Sequence, residues 1–391
     1  NAVNGTATFN NLRFVGSPGN YPVTFQVFRG FDLVDSVTTG NYQLLSSQPS
    51  SLRIQWSNRT GSAGGNVFEA PLVTLIDDGG NAIAVEPFAS ATISATITGP
   101  QGQILSGASA RANAGSATFS NLAIAGRTGT NYTIEFSVAV QGQTESRTIS
   151  AAINNFTLQP GAPASMRVVS EPSDIIAGGT FSPAVQVEVL DAYGNRVTSN
   201  NALTLRARFT EGNFSSLSSP VSASSGLVSF ANLGFTRAGT YEIGFVDQSS
   251  SPLATVTSSQ FVVSPAAPHS LTWDVQPSNV VARATMTAPR LKIFDAFGNH
   301  ITNDSTTNVT LRLLSSVSAV VTPNLAAGIT KQAAGGYVTF DGLRLGALAG
   351  TYSLEVLSAS RGGVSLAGNL GGVSSQFAIT PGAVNSLEVV R

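Results

Sequence analysis

Apolar and polar residues alternate along this chain with a period of two. Val185-Gln186-Val187-Glu188-Val189 is one such run, and Leu203, Leu205, Ala207 and Phe209 alternate with Thr204, Arg206 and Arg208 in the next. Tyr241-Glu242-Ile243-Gly244-Phe245 is a third. Successive side chains of a strand point to opposite faces, so this pattern predicts half-buried strands. Turn signals separate the runs: Pro160-Gly161-Ala162-Pro163, Gly178-Gly179, Asp191-Ala192-Tyr193-Gly194-Asn195 and Ala238-Gly239-Thr240. In the Asp191 turn the carboxylate can cap its own loop, while Gly and Asn tolerate positive φ. About seven short strands, turn signals every ten or so residues and no helical period predict an Ig-like β-sandwich.

The same order of signals recurs. Gly5, Gly115, Gly226 and Gly336 are each followed four residues on by Phe9, Phe119, Phe230 and Phe340, and then by Leu12, Leu122, Leu233 and Leu343. The Phe-to-Phe steps are 110, 111 and 110 residues. Tyr21, Tyr132, Tyr241 and Tyr352 each open an alternating run about a dozen residues after the Phe. A constant period with no shared chemistry inside it predicts tandem copies of one structural module. The Phe and Tyr positions are expected in the core, each Tyr placed as a tyrosine corner with its hydroxyl on upstream backbone. Trp56 and Trp273 share a first-strand position and are also read as core.

The pattern divides the chain into 1–47, the C-terminal half of a module, whole modules at 48–159, 160–264 and 265–380, and 381–391, the first strand of another. The sequence thus reads as a segment of something longer. Continuation of the polypeptide is favoured over strand complementation between copies, because Ser386–Val390 supplies far less than the missing half needs. Pro-containing linkers of a few residues predict an extended, semi-rigid rod.

Charged residues make up 10% of the chain, against roughly a quarter in ordinary domains, and the net charge is −1. That gives no electrostatic case for nucleic acid or an anionic membrane. A weakly charged Ser/Thr/Asn/Gln surface suits packing beside other copies, in a filament, or carrying glycans. There is no cysteine, so disulfides and thiolate sites are excluded. No apolar run is long enough to span a membrane.

The strand ending in Asp191-Ala192-Tyr193-Gly194-Asn195-Arg196-Val197, the later Gly-x-x-x-Phe strand and the Ala238-Gly239-Thr240-Tyr241 turn resemble the bacterial Ig-like repeats of invasin- and intimin-type adhesins. The resemblance covers every module. It implies the Ig-like fold and an extracellular, cell-surface setting in which most repeats act as spacers. The cysteine-containing lectin-like tip of those adhesins has no counterpart here.

Candidate chemistry is sparse. Asp77, Asp78, Asp191 and Asp295 are calcium candidates, but each turn offers one or two acids where calcium takes six to eight oxygens, and turn capping accounts for the Asp-x-x-Gly-Asn pattern. No cofactor is expected. Sequons stand at Asn4, Asn58, Asn131, Asn155, Asn213, Asn303 and Asn308 as glycosylation candidates. His269 and His300 lack a partnering acid or Ser pattern, and Gly363-Val364-Ser365-Leu366-Ala367 lacks the last Gly of a nucleophile elbow. The expected function is therefore non-enzymatic: the stalk or fibre body of a large cell-surface protein. Its expected partners are neighbouring modules, neighbouring copies and surface glycans. The alternative is a carbohydrate-binding array attached to a secreted enzyme.

Overall fold

The computed structural model describes residues 2–45, 47–141, 146–211, 214–315 and 329–383, and among them there are strands and turns but no helix. The chain divides into two compact units. One is Asn1–Arg167 with Glu188–Leu203 and Ala223–Leu227; the other is Val168–Val187 with Thr204–Ser222 and Val228–Arg391. The expected strand at 386–390 lies outside the described residues.

In the first unit, Leu72–Asp77 runs antiparallel between Pro49–Gln55 and Ser116–Thr118. A second sheet has the order Thr60–Ser62, Ser146–Gln159, Asn131–Gln141, Thr92–Thr98, Ser109–Arg111, with its first pairing parallel. Strand Asn131–Gln141 keeps the period of two that its sequence dictates. Tyr132, Ile134, Phe136, Val138 and Val140 face the core, while Asn131, Glu135, Ala139 and Gln141 face solvent. Phe119 meets Phe136 at 4.9 Å in an edge-on contact, and Trp56 lies 5.3 Å from Phe156. Burial of each such ring contributes roughly 1.5–3 kcal/mol.

Residues 2–45 form only a ribbon, Gly19–Arg29 against Asp32–Leu44. The expectation that Phe9 and Tyr21 belong to a core fails in this chain: they are 57% and 42% exposed. Two strands pair with each other but have no facing sheet, so Phe9 rests on Phe25 at 5.1 Å and both stay wet.

In the second unit, Arg290–Phe294 lies between Ser270–Val275 and Tyr337–Thr339. The opposing sheet runs Val280–Val281, Phe377–Thr380, Gly350–Arg361, Asn308–Ser315, Ile329–Gln332, and again opens with a parallel pair. Leu271, Leu291, Ile293, Val338, Phe340 and Leu354 lie in the core between them. Earlier in this unit Thr204–Glu211 pairs with Ile243–Asp247, and Ile175–Ile176 runs parallel to Phe261–Ser264. Phe230 is buried at 5.1 Å from Phe245.

The recurring Gly closes a two-residue hairpin. Its partner in the turn also has positive φ (Asn4, Ala114, Ser225 and Gly335), the combination that a type I′ turn demands. At Gly336 an added Cβ would stand 2.2 Å from the Ile301 carbonyl oxygen, and at Gly115 1.8 Å from that of Ile83. Close backbone approach and left-handed φ together select glycine.

Candidate functional site

The three Asp-x-x-Gly-Asn turns build one repeated device at the junctions between strand-rich segments. Asp191 ends strand Val185–Asp191, and its Oδ1 accepts from the backbone N–H groups of Tyr193 at 2.8 Å and Asn195 at 2.9 Å. Asp77 accepts likewise from Gly79 and Asn81, and Asp295 from Phe297 and Asn299. That is self-capping of the turn. The second carboxylate oxygen reaches further. It accepts from the linker amide of Ser47 at 3.2 Å, Gly161 at 2.9 Å and Ala266 at 2.8 Å in the three turns.

The turn Asn completes the joint. Asn195 Nδ2 donates to the Gly126 carbonyl at 3.0 Å, and its Oδ1 accepts from Thr128 N–H at 3.0 Å. Between those two residues, the Arg127 carbonyl accepts from the corner Tyr132 hydroxyl at 2.8 Å. One three-residue loop is thus held from its own sandwich by tyrosine and from the next turn by asparagine. The arrangement repeats with Asn299 on the Thr236 carbonyl at 2.7 Å and the Ala238 N–H at 2.9 Å, around the Arg237 carbonyl that accepts from Tyr241. Tyr21 and Tyr352 make the same corner bond, to the carbonyls of Ser17 and Leu348.

An aromatic ring adds a packing contact. Tyr193 lies on Gly64, where a Cβ would come within 2.2 Å of the ring, and Phe297 lies on Gly178, where it would come within 2.3 Å. Both rings remain 38% and 47% exposed, as expected of groups that bridge a junction. The first joint is thinner. Asn81 donates to the Gly16 carbonyl at 2.9 Å, but Pro18 stands where Thr128 and Ala238 supply an N–H, and Gly79 stands where the ring would be. Proline has no N–H to give.

Burial opposes ionisation of Asp77, Asp191 and Asp295, yet the ring of N–H donors outweighs it and each carboxyl is held below its usual range. The same donors occupy these carboxylates: both oxygens of Asp191 and Asp295 accept N–H bonds. Asp78 points to solvent. Among the described residues no three of His, Cys, Asp and Glu cluster.

No family model matches the chain, and no curated protein matches it. Solved structures with a similar fold include invasin, described as a bacterial integrin-binding protein, at 16% identity over 85% of this chain and 60% of that one, with a TM-score of 0.33. The FN1–FN3 domains of chicken CNTN1 are similar at 11% identity, covering 85% and 97% of the two chains, with a TM-score of 0.28. Immunoglobulin domains 1–5 of Sidekick-1 are similar at 12% identity, covering 93% and 66%, with a TM-score of 0.26. The chain therefore spans about three-fifths of the length of the invasin structure.

The other sequence candidates are dispersed. Asn4, Asn58, Asn131, Asn155, Asn303 and Asn308 are exposed, and Asn213 lies outside the described residues. His300 packs against Tyr337 at 4.7 Å with Nε2 3.2 Å from the Gly336 carbonyl oxygen, while the His269 ring lies against Gly368. Val364–Ser365 is the return strand of a hairpin. Phe119, Phe230 and Phe340 are buried, as are Tyr132, Tyr241 and Tyr352, so none of these rings offers a face to a sugar. Sequence reasoning missed the reach of Asn195 and Asn299 and the pairing of a ring with Gly64 and Gly178. The recurrence of Asn four residues after Asp was the available signal.

Proposed function

We propose that this chain is a non-enzymatic structural and adhesive element, with Ig-like modules at 48–159, 160–264 and 265–380, serving in the stalk or fibre body of a cell-surface protein. The observation that carries this reading is the repeated joint, in which Asp191 and Asn195, and again Asp295 and Asn299, tie a turn to a linker amide and to a corner loop. A protein whose task is reach invests polar side chains in connections between modules, and this recurring constellation does that. Calcium has no part in the joints in this reading.

Immunogold electron microscopy of intact source cells, with antibody raised against the chain, tests the assignment. Label on the outer surface, on thin projections or on ordered filaments, is the expected result; the two forms distinguish a lone stalk from a fibre. Label confined to the cell interior would overturn the proposal.

A further inference from the structure

We propose that the outward face of the sheet Ser270–Val275, Arg290–Phe294 and Tyr337–Thr339 is a docking surface for an acidic polysaccharide. Counting back from the turn Asp, the outward column of the central strand is Arg290, Lys292 and Phe294 here, Gln186, Glu188 and Leu190 before Asp191, and Leu72, Thr74 and Ile76 before Asp77. Glu188 is ion-paired with Arg167, and Thr74 and Ile76 are buried. In this column, then, only the one before Asp295 carries positive charge: Lys292 has no ion pair among the described residues, and Arg290 is bonded to Asp274. One of the chain's two lysines falls in it, and one of its two histidines, His300, lies beside it against Phe294 and Tyr337.

The side chains there are ordered into a ladder of cations and rings. The Arg290 guanidinium lies 4.5 Å above the Tyr337 ring, and Lys292 Nζ lies 5.4 Å from Phe294 and 5.9 Å from Tyr337. His300 flanks Tyr337 on a further side. Such contacts orient a cation without neutralising it. Arg290 directs Nε to Asp274 Oδ2 at 2.7 Å, with one terminal nitrogen to the same oxygen at 2.5 Å, which leaves further N–H donors unused. Lys292 has no ion-pair partner among the described residues. Thr272 stands opposite Lys292 and Thr339 opposite Arg290 in register, so hydroxyls sit beside both cations.

This chemistry selects its partner. The surface is a three-stranded sheet whose cations, two residues apart on one strand, stand about 7 Å from each other. That geometry suits an extended polymer bearing acid groups at intervals. Cations already occupy the ring faces, so base stacking is blocked. Uronate or sulfate groups on a sugar chain meet both the cations and the flanking hydroxyls. The inference is independent of the stalk assignment.

Affinity electrophoresis of the whole chain through gels containing polygalacturonate, heparin or poly-glutamate, at low and physiological salt, tests it. Retardation by polygalacturonate or heparin, falling with salt, is expected, and the stronger of the two tells carboxylate from sulfate. Lys292→Gln should weaken it about three- to fivefold and Lys292→Glu abolish it. Lys331→Gln, which removes the other lysine at its ion pair with Asp341, should leave it unchanged. Thermal unfolding of each variant reports its fold, and Lys292→Gln, which adds no charge, keeps the test open if the Glu variant does not fold. Absence of retardation at low salt, equal loss in Lys331→Gln, or equal retardation by poly-glutamate would each overturn the proposal.

Discussion

Replacing Phe230 with alanine empties a site beside Phe245 in a buried part of its sandwich. The loss of transfer energy plus the cavity left behind should lower stability by about 3–5 kcal/mol, measured by denaturant unfolding. Unchanged stability would mean that the ring is not a core residue. The glycines separate a different effect. Gly336→Ala adds a methyl 2.2 Å from the Ile301 carbonyl oxygen at a φ of +77°, whereas Gly5→Ala at +79° meets nothing within 4 Å. The first should be destabilising beyond the roughly 1–2 kcal/mol of left-handed strain, and the second by no more than that strain. Equal effects would show that strain alone selects glycine. The Phe on the inward register was legible in the sequence as a local requirement, whereas the recurring Gly, read as opening a strand, closes a tight turn. Phe9 and Tyr21 escaped, since their burial depends on a facing sheet that no local pattern encodes.

At the scale of elements, the turn and its linker act together. Both Asp191 and Asp295 have carboxyls held below the usual range, so the sign of their pH dependence follows. A group whose folded pKa is depressed contributes stability that is present above its unfolded value, about 3.9, and is lost as pH falls through the lower folded value. Thermal unfolding should therefore show stability declining below about pH 4, and Asp191→Asn should flatten that decline. An identical profile in the variant would exclude Asp191 as a contributor. Above that range EDTA or added calcium should leave the melting temperature unchanged, and a calcium-dependent rise would contradict the amide-filled carboxylates. The strands on either side of each turn were readable from alternation, as in Leu203, Leu205 and Ala207, all buried. The second ends of these hydrogen bonds were not, because Asn195 and Gly126 lie 69 residues apart and neither is unusual in its own neighbourhood.

In the stalk proposed above, the joints are expected to limit how freely one module moves on the next. The chain has no cysteine, so a pair introduced at the exposed Thr148 and Thr198 can carry spin labels without background. Pulsed electron resonance should give one narrow distance distribution, and Asn195→Ala should broaden it. An unchanged width would mean that the linker alone sets the joint. There is also a consequence in time. The loop at Gly126 to Thr128 receives its second clasp from a residue made 69 positions later. At ordinary synthesis rates of about 5–20 residues per second, that interval is roughly 3–14 seconds. Throughout it the loop is held from within its own sandwich, by the hydroxyls of Tyr132 and Thr130 on the Arg127 carbonyl and by Arg127 on Gln101. Each sandwich must therefore stand on its own core before its successor arrives, and the joint is the last part of it to be finished.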